Sequence, residues 1–449
     1  MQHDPRGLPI STDSPAAAAA FGAMLKSFSG WRVDTMGHLA ESIAADPGFA
    51  LAHATKGLLL YGMRKSEVLP MARDALAAAE EAAGGASLRE QRYVRALSSA
   101  LDGRVTDAVA EYEAITLDHP LDLFMLRQCQ LDLFWMGEVA WMRDVTERAA
   151  PAWTQEQPNY SNFLSIRAFG LEESGDQAGA ERYAREAIER DPTDPWGAHV
   201  VAHVLEMQGR HREGIAWLDG LKGHWGQANH IRHHLWWHRT LHHVEQGDHQ
   251  AALDIYDSVL RDPDSPLLKA IPDLYTDVQN NAALLMRLVL RGVDVGGRWE
   301  AYADLAAARI GNHTSPFTSA HVTMVLAHAG RWVQAEESVA SMEAFAASDT
   351  GSFGPRVRLA ALPAARAALA HARGDHEAVV GHLFPARRNL WQMGGSHAQR
   401  DVFMQLLAAS AVRLGRRDQL AILLAELRAT GFDRLAERSS YADAVALVQ

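Results

Sequence analysis

The chain has 449 residues, 48% of them hydrophobic and 22% charged, a balance that fills a large core and excludes a disordered, collagen-like or disulfide-stapled chain. Lys and Arg number 43 against 55 Asp and Glu; the formal charge of -12 repels a phosphate backbone, no basic stripe offsets it, and nucleic acid is not expected as a partner. The single cysteine, Cys129, excludes an intramolecular disulfide and every multi-cysteine zinc ribbon.

The chain starts Met-Gln-His-Asp-Pro-Arg, lacks a basic leader, and reaches an apolar stretch, Ala16 to Leu25, only after Asp13 and Pro15. No signal peptide is expected there. No apolar run approaches the roughly eighteen residues of a membrane span, so a cytoplasmic protein without a membrane partner is expected. From Asp34 onward Ala, Leu, Arg and Glu recur at helical spacing and strand-like alternation is almost absent, which predicts a nearly all-α chain.

A repeat runs through it. Gly followed by Asp, Arg or Trp marks a turn between helices: Gly103 is followed by Ala108, Tyr112, Ile115 and Pro120, and Gly175 by Ala180, Ala184, Ala187 and Pro192. Gly30 leads to Leu39 and Pro47 in the same register. This is the second half of a tetratricopeptide unit, where a small residue lets two helices close and a proline ends the second one. Gly137, Gly209, Gly247, Gly330, Gly374 and Gly415 continue the series at 34 to 44 residues, with a double interval of 83 between Gly247 and Gly330. The predicted architecture is an all-α, tetratricopeptide-like α-solenoid of about eleven helical hairpins, forming one superhelix with a concave inner pocket. Its expected divisions are an N-terminal segment and first helix over 1–29, a continuous stack over 30–430 and a C-terminal capping helix over 431–449.

Eleven of the 22 histidines fall between His199 and His249. In AHVVAHVLEMQGR, His199, His203 and Glu206 share one helical face. In HIRHHLWWHRTLHHVEQG, His230, His234, His238 and His242 form an i, i+4 ladder. Each segment precedes a turn glycine, which makes both first helices of adjacent units, facing the groove. His199, His203, His234 and His238 could then converge as ligands of a divalent metal or as proton carriers, with Glu206 as oxygen ligand or acid/base. Neither helix carries HExxH. The bland alternative packs the same histidines beside Trp196, Trp225, Trp236 and Trp237 with their nitrogens bonded to one another and to carbonyls. Trp196 and Trp237 are candidate ligand contacts. Further along, Asp257, the pair Asp273 and Asp277, His321 and His328 could add polar groups. In GGSHAQRDVF, Ser396, Gln399, Arg400 and Asp401 open a helix, with Ser396 as N-cap and Arg400 suited to a carboxylate or phosphate. No phosphate loop, dinucleotide fingerprint or nucleophile elbow is present, so no nucleotide cofactor is expected.

The motifs GEVAWMRDV, AFGLEESGD, DPTDPWGAHVVAHVLEMQGR, HLWWHRTL, GDHQAALDIYD, VGGRW and GGSHAQRDVF resemble those of the tetratricopeptide repeat protein 38 family, from about Glu90 to about Leu407. The resemblance implies a tetratricopeptide-like stack and no settled reaction. It carries over the polar set His199, His203, Glu206, His234, His238, Asp257, His321, Ser396, Gln399, Arg400 and Asp401. Tyr93, Gln130 and Asn281 depart from the family pattern, where histidine or aspartate is usual. The expected function is a small-molecule-binding helical-repeat protein, leaning to an enzyme with acid-base or metal-assisted chemistry. The alternatives are an adaptor that holds a partner peptide in its groove and a member of the family that has lost activity; a homodimer is compatible with either function.

Overall fold

The protein is described by a computed structural model over residues 2–272 and 274–449, with the backbone alone at 275–277. It is helical nearly throughout; among the described residues the strands are confined to a short antiparallel ladder of Gln2–His3 with Pro9–Ile10. No helix among them is long and apolar enough to cross a membrane. The chain divides into two compact units: the first takes residues up to 134, 138–200 and 223–229, the second 135–137, 201–222 and 230–449.

The turn glycines of the repeat explain the hairpins. Gly103, Gly137, Gly175, Gly209, Gly247, Gly330, Gly374 and Gly415 all have φ between +67° and +97°, the left-handed region where a side chain is strained. At Gly209 the following amide, Arg210 N, reaches back to Leu205 O at 2.8 Å, closing the helix end in a Schellman turn. Gly292, with φ +74°, falls inside the double interval between Gly247 and Gly330. Gly30 departs from the series: its φ is -89° and the left-handed residue is the next one, Trp31, at +55°.

The helices that matter below are, in chain order, α1 (Pro15–Ser29), α2 (Leu123–Met136), α3 (Tyr160–Glu173), α4 (Pro195–Met207), α5 (His211–Leu221), α6 (Ile231–Glu245), α7 (Tyr275–Leu290), α8 (Pro316–His328) and α9 (His397–Arg413). In the second unit α7 is central, packing against α6, α8 and α9, while α5 packs on α6. Its apolar run from Ala282 to Met286 is buried. α9 starts with a capping box: Ser396 Oγ accepts from Gln399 N at 3.2 Å and Gln399 Oε1 accepts from Ser396 N at 3.0 Å.

Candidate functional site

α4 presents Trp196, His199, His203 and Glu206 along one face, and all four side chains are buried. The boundary between the units falls inside this helix after Val200, so His199 stands one turn before His203 on the same helix. α6 contributes His234 and His238, also buried and one turn apart. Within the second unit, one ring nitrogen from each of His203, His234 and His238 lies within 4.8 Å of the others, a buried group that could hold a metal ion. The His203 and His238 rings are 4.5 Å apart, and those of His234 and His238 are 4.6 Å apart.

A hydrogen-bonded chain of fixed polarity runs through the second unit. The capping box uses Gln399 Oε1, so its Nε2 donates to Asn280 Oδ1 at 2.9 Å. Asn280 therefore turns its Nδ2 toward His234 Nδ1, 2.7 Å away, which must accept. That leaves the proton of His234 on Nε2, donated to His238 Nε2 at 3.2 Å, and the proton of His238 on Nδ1, donated to Glu206 Oε2 at 3.2 Å. The Asn280 carbonyl is held in turn by Trp237 Nε1 at 2.6 Å, and the Trp237 indole stacks on His234 with centroids 5.3 Å apart.

Electrostatics sets the charges. Burial pushes His234 down to about 3, and proximity to His203 adds to it, so its imidazole is neutral at pH 7 and has a lone pair to offer. Burial pushes Glu206 up to about 8, against the opposing pull of Arg287 and Arg438. The chain of donors calls for a Glu206 carboxylate, while burial calls for the acid. Glu206 therefore gains and loses its proton near neutrality, which suits a general acid or base.

The other expected residues divide. Ser396 is the N-cap and Gln399 belongs to the chain that orients His234. Asp401 is buried and accepts from Gln405 Nε2 at 2.6 Å and from the Tyr441 hydroxyl. Arg400 donates to the Gly395 carbonyl; with Asp401, Trp391, His397, Met404 and Phe432 it lines a cavity of about 340 Å³. His321 donates from Nδ1 to Phe317 O at 2.8 Å and lies between Phe317 and Phe403, where burial pushes it down to about 4. His328 bonds His371, 3.1 Å away. Trp196 stacks on His199 at 4.5 Å.

Some expectations are corrected. Asp257 is exposed and forks onto Arg298 at 2.9 and 2.5 Å, in the π-type turn Tyr256–Leu260, so its carboxylate is spent on an ion pair. The histidine ladder splits: His230 bonds Ile271 O at 3.2 Å, and His242 bonds His211 at 3.1 Å. Asp273 lies outside the described residues, as does the side chain of Asp277. Of the three residues that the resemblance singled out, Tyr93 donates to Asp122 at 2.8 Å, Gln130 donates to Ile166 O at 2.6 Å, and Asn281 is buried on α7. Asn280, the residue beside it, is the one that sequence reading passed over; the only hint was a polar Asn-Asn pair opening the apolar run of α7. No protein-family model matches the chain.

Proposed function

We propose that this protein is a tetratricopeptide-like helical-repeat protein, akin to the tetratricopeptide repeat protein 38 family, that binds a small polar molecule at its histidine centre and acts on it with a divalent metal and Glu206. The observation that carries the reading is the set of three buried imidazoles of the second unit, His203, His234 and His238, with ligand atoms within 4.8 Å of one another. Neutral imidazoles are the commonest ligands of zinc and of related divalent metals. The 3.2 Å between the Nε2 atoms of His234 and His238 is close to the edge of a tetrahedron of zinc-nitrogen bonds, about 3.3 Å, so a metal can replace the proton they share. Glu206 on the far nitrogen of His238 is the kind of carboxylate that orients a metal-binding histidine. In this reading Glu206 moves the proton and α4 and α6 hold the metal.

Elemental analysis and native mass spectrometry of untagged protein test it, beside a His199→Ala/His234→Ala variant. Stoichiometric metal in the parent, absent from a variant with unchanged helical circular dichroism, is the expected result. A parent that stays metal-free after exposure to zinc and cobalt would sink the reading and turn attention to the groove as a peptide-binding surface.

A further inference from the structure

Arg127, on α2, is fully buried, and none of its Nε, Nη1 and Nη2 atoms has a hydrogen-bond partner. The other deeply buried arginines of the first unit are tied down: Arg64 to Asp132 and the Tyr61 hydroxyl, Arg89 to Asp122 at 2.7 Å and to Pro9 O at 3.0 Å. Arg127 instead lies over two indoles, 5.0 Å from the Trp31 ring centroid and 5.6 Å from that of Trp196, which stack on each other at 4.9 Å. The Nε1 atoms of both tryptophans are also buried without an acceptor. Asp194 is near enough to act on Arg127 through space, yet it makes no ion pair with it. Its oxygens accept from Trp196 N at 2.9 Å and from Ser165 Oγ at 2.5 Å. Burial lowers Arg127 only to about 10, so it stays cationic at neutral pH.

Three side chains thus bring donors and no acceptor to one place. An unpaired buried cation destabilises a fold, and such groups are rarely left without a partner. A second oddity points to the same spot. Trp31 holds φ +55°, a conformation uncommon for a bulky residue, fixed by Trp31 N to Phe28 O at 3.1 Å and by Asn229 N to Trp31 O at 2.7 Å. Strain of this kind collects at binding sites.

We propose that Arg127, Trp31 and Trp196 form a binding site for the carboxylate of a small organic acid. A guanidinium fork matches a carboxylate with two parallel hydrogen bonds. One buried cation is neutralised by a monoanion; a phosphate dianion would leave excess negative charge in a dry site, and a halide cannot fill the fork. The stacked indoles favour a flat, unsaturated acid. Trp31 is the partly exposed member of the three and is the side chain that an incoming acid displaces. Trp196 also stacks on His199 of the same unit, and the carboxylate site stands without the function proposed above.

Benzoate is the probe, titrated by calorimetry and by thermal unfolding into the full-length, chelator-treated protein in low-salt buffer, with acetate, inorganic phosphate and chloride as comparisons. Saturable benzoate binding to the parent is expected, weakened at least tenfold in Arg127→Met and measurably in Arg127→Lys, which keeps the charge but loses the fork. Without benzoate, Arg127→Met should unfold at the same temperature as the parent or a higher one, since the uncompensated charge is gone. His234→Ala, which lacks a metal-site imidazole but keeps this site, should bind benzoate as the parent does. The proposal fails if the parent binds neither benzoate nor acetate, if Arg127→Met binds as tightly as the parent or unfolds at a lower temperature, or if chloride or phosphate binds as tightly as benzoate.

Discussion

The direction of one amide decides what the histidine centre can hold. In the described arrangement Asn280 donates to His234 Nδ1, which keeps a proton on His234 Nε2, the atom facing His238. A metal on that atom requires His234 to carry its proton on Nδ1 and to donate it, so Asn280 must present its oxygen instead. Gln399 competes for that oxygen. Asn280→Asp removes the conflict, because a carboxylate accepts from both His234 and Gln399, and carboxylates behind metal-bound histidines strengthen binding by about 10 to 100-fold. Asn280→Asp is expected to bind zinc about tenfold more tightly in chelator competition, and an affinity at or below that of the parent would refute this account. The residues legible in sequence were those whose relation is set by one helix: His199 with His203, and His234 with His238. Asn280 was not legible, because its partners come from α6 and α9 and no spacing within α7 announces them. The partner of Asp257 was not legible either, because Arg298 comes from a distant segment that no local spacing shows.

At the scale of elements, the punctuation was largely legible. Glycines read as turns adopt the left-handed conformation, and Gly-Gly-Ser reads and folds as a helix start. Sequence could not show that in the first motif the left-handed residue is Trp31, which lies against Trp196 and Arg127, and not Gly30. Nor could it separate turns that need glycine for conformation alone from those where another chain segment comes close. A Cβ on Gly175 would meet open space, whereas one on Gly137 would strike the Trp391 carbonyl, and Gly394 approaches the backbone of Trp135 in the same way. Gly175→Ala should therefore cost about 1–2 kcal/mol, the left-handed penalty. Gly137→Ala adds a backbone collision and should cost roughly 4 kcal/mol or more. Urea unfolding of the two variants measures both; equal losses would mean that the loop carrying Trp391 gives way freely.

Over the whole molecule the histidines are unevenly shared, and this predicts how the protein fails in acid. In the second unit burial pushes His211 to about 4, His234 to about 3, His321 to about 4 and His371 to about 3, and His242 well down. In the first unit burial also lowers His119. A depressed histidine is neutral when folded and takes up a proton when unfolded below about pH 6.5, so the stability it contributes is present above that pH and lost as pH falls toward the folded value, by about 1.4 kcal/mol per unit for each group. Glu206 has the opposite sign: raised to about 8, it costs stability as pH rises from its ordinary range near 4.5 to 8. Asp194 and Asp401 are also raised by burial, but these carboxylates are outnumbered below pH 6.5. Chelator-treated protein should be most stable near pH 6.5, lose stability steeply toward pH 5, and take up protons on unfolding there. Hydrogen exchange at pH 5 should open α6 before α3, and Glu206→Gln should flatten the alkaline side of the profile and steepen the acid side, where the Glu206 term opposes that of the histidines. Net proton release on unfolding at pH 5, or loss of protection in α3 ahead of α6, would mean that the buried histidines do not govern acid stability.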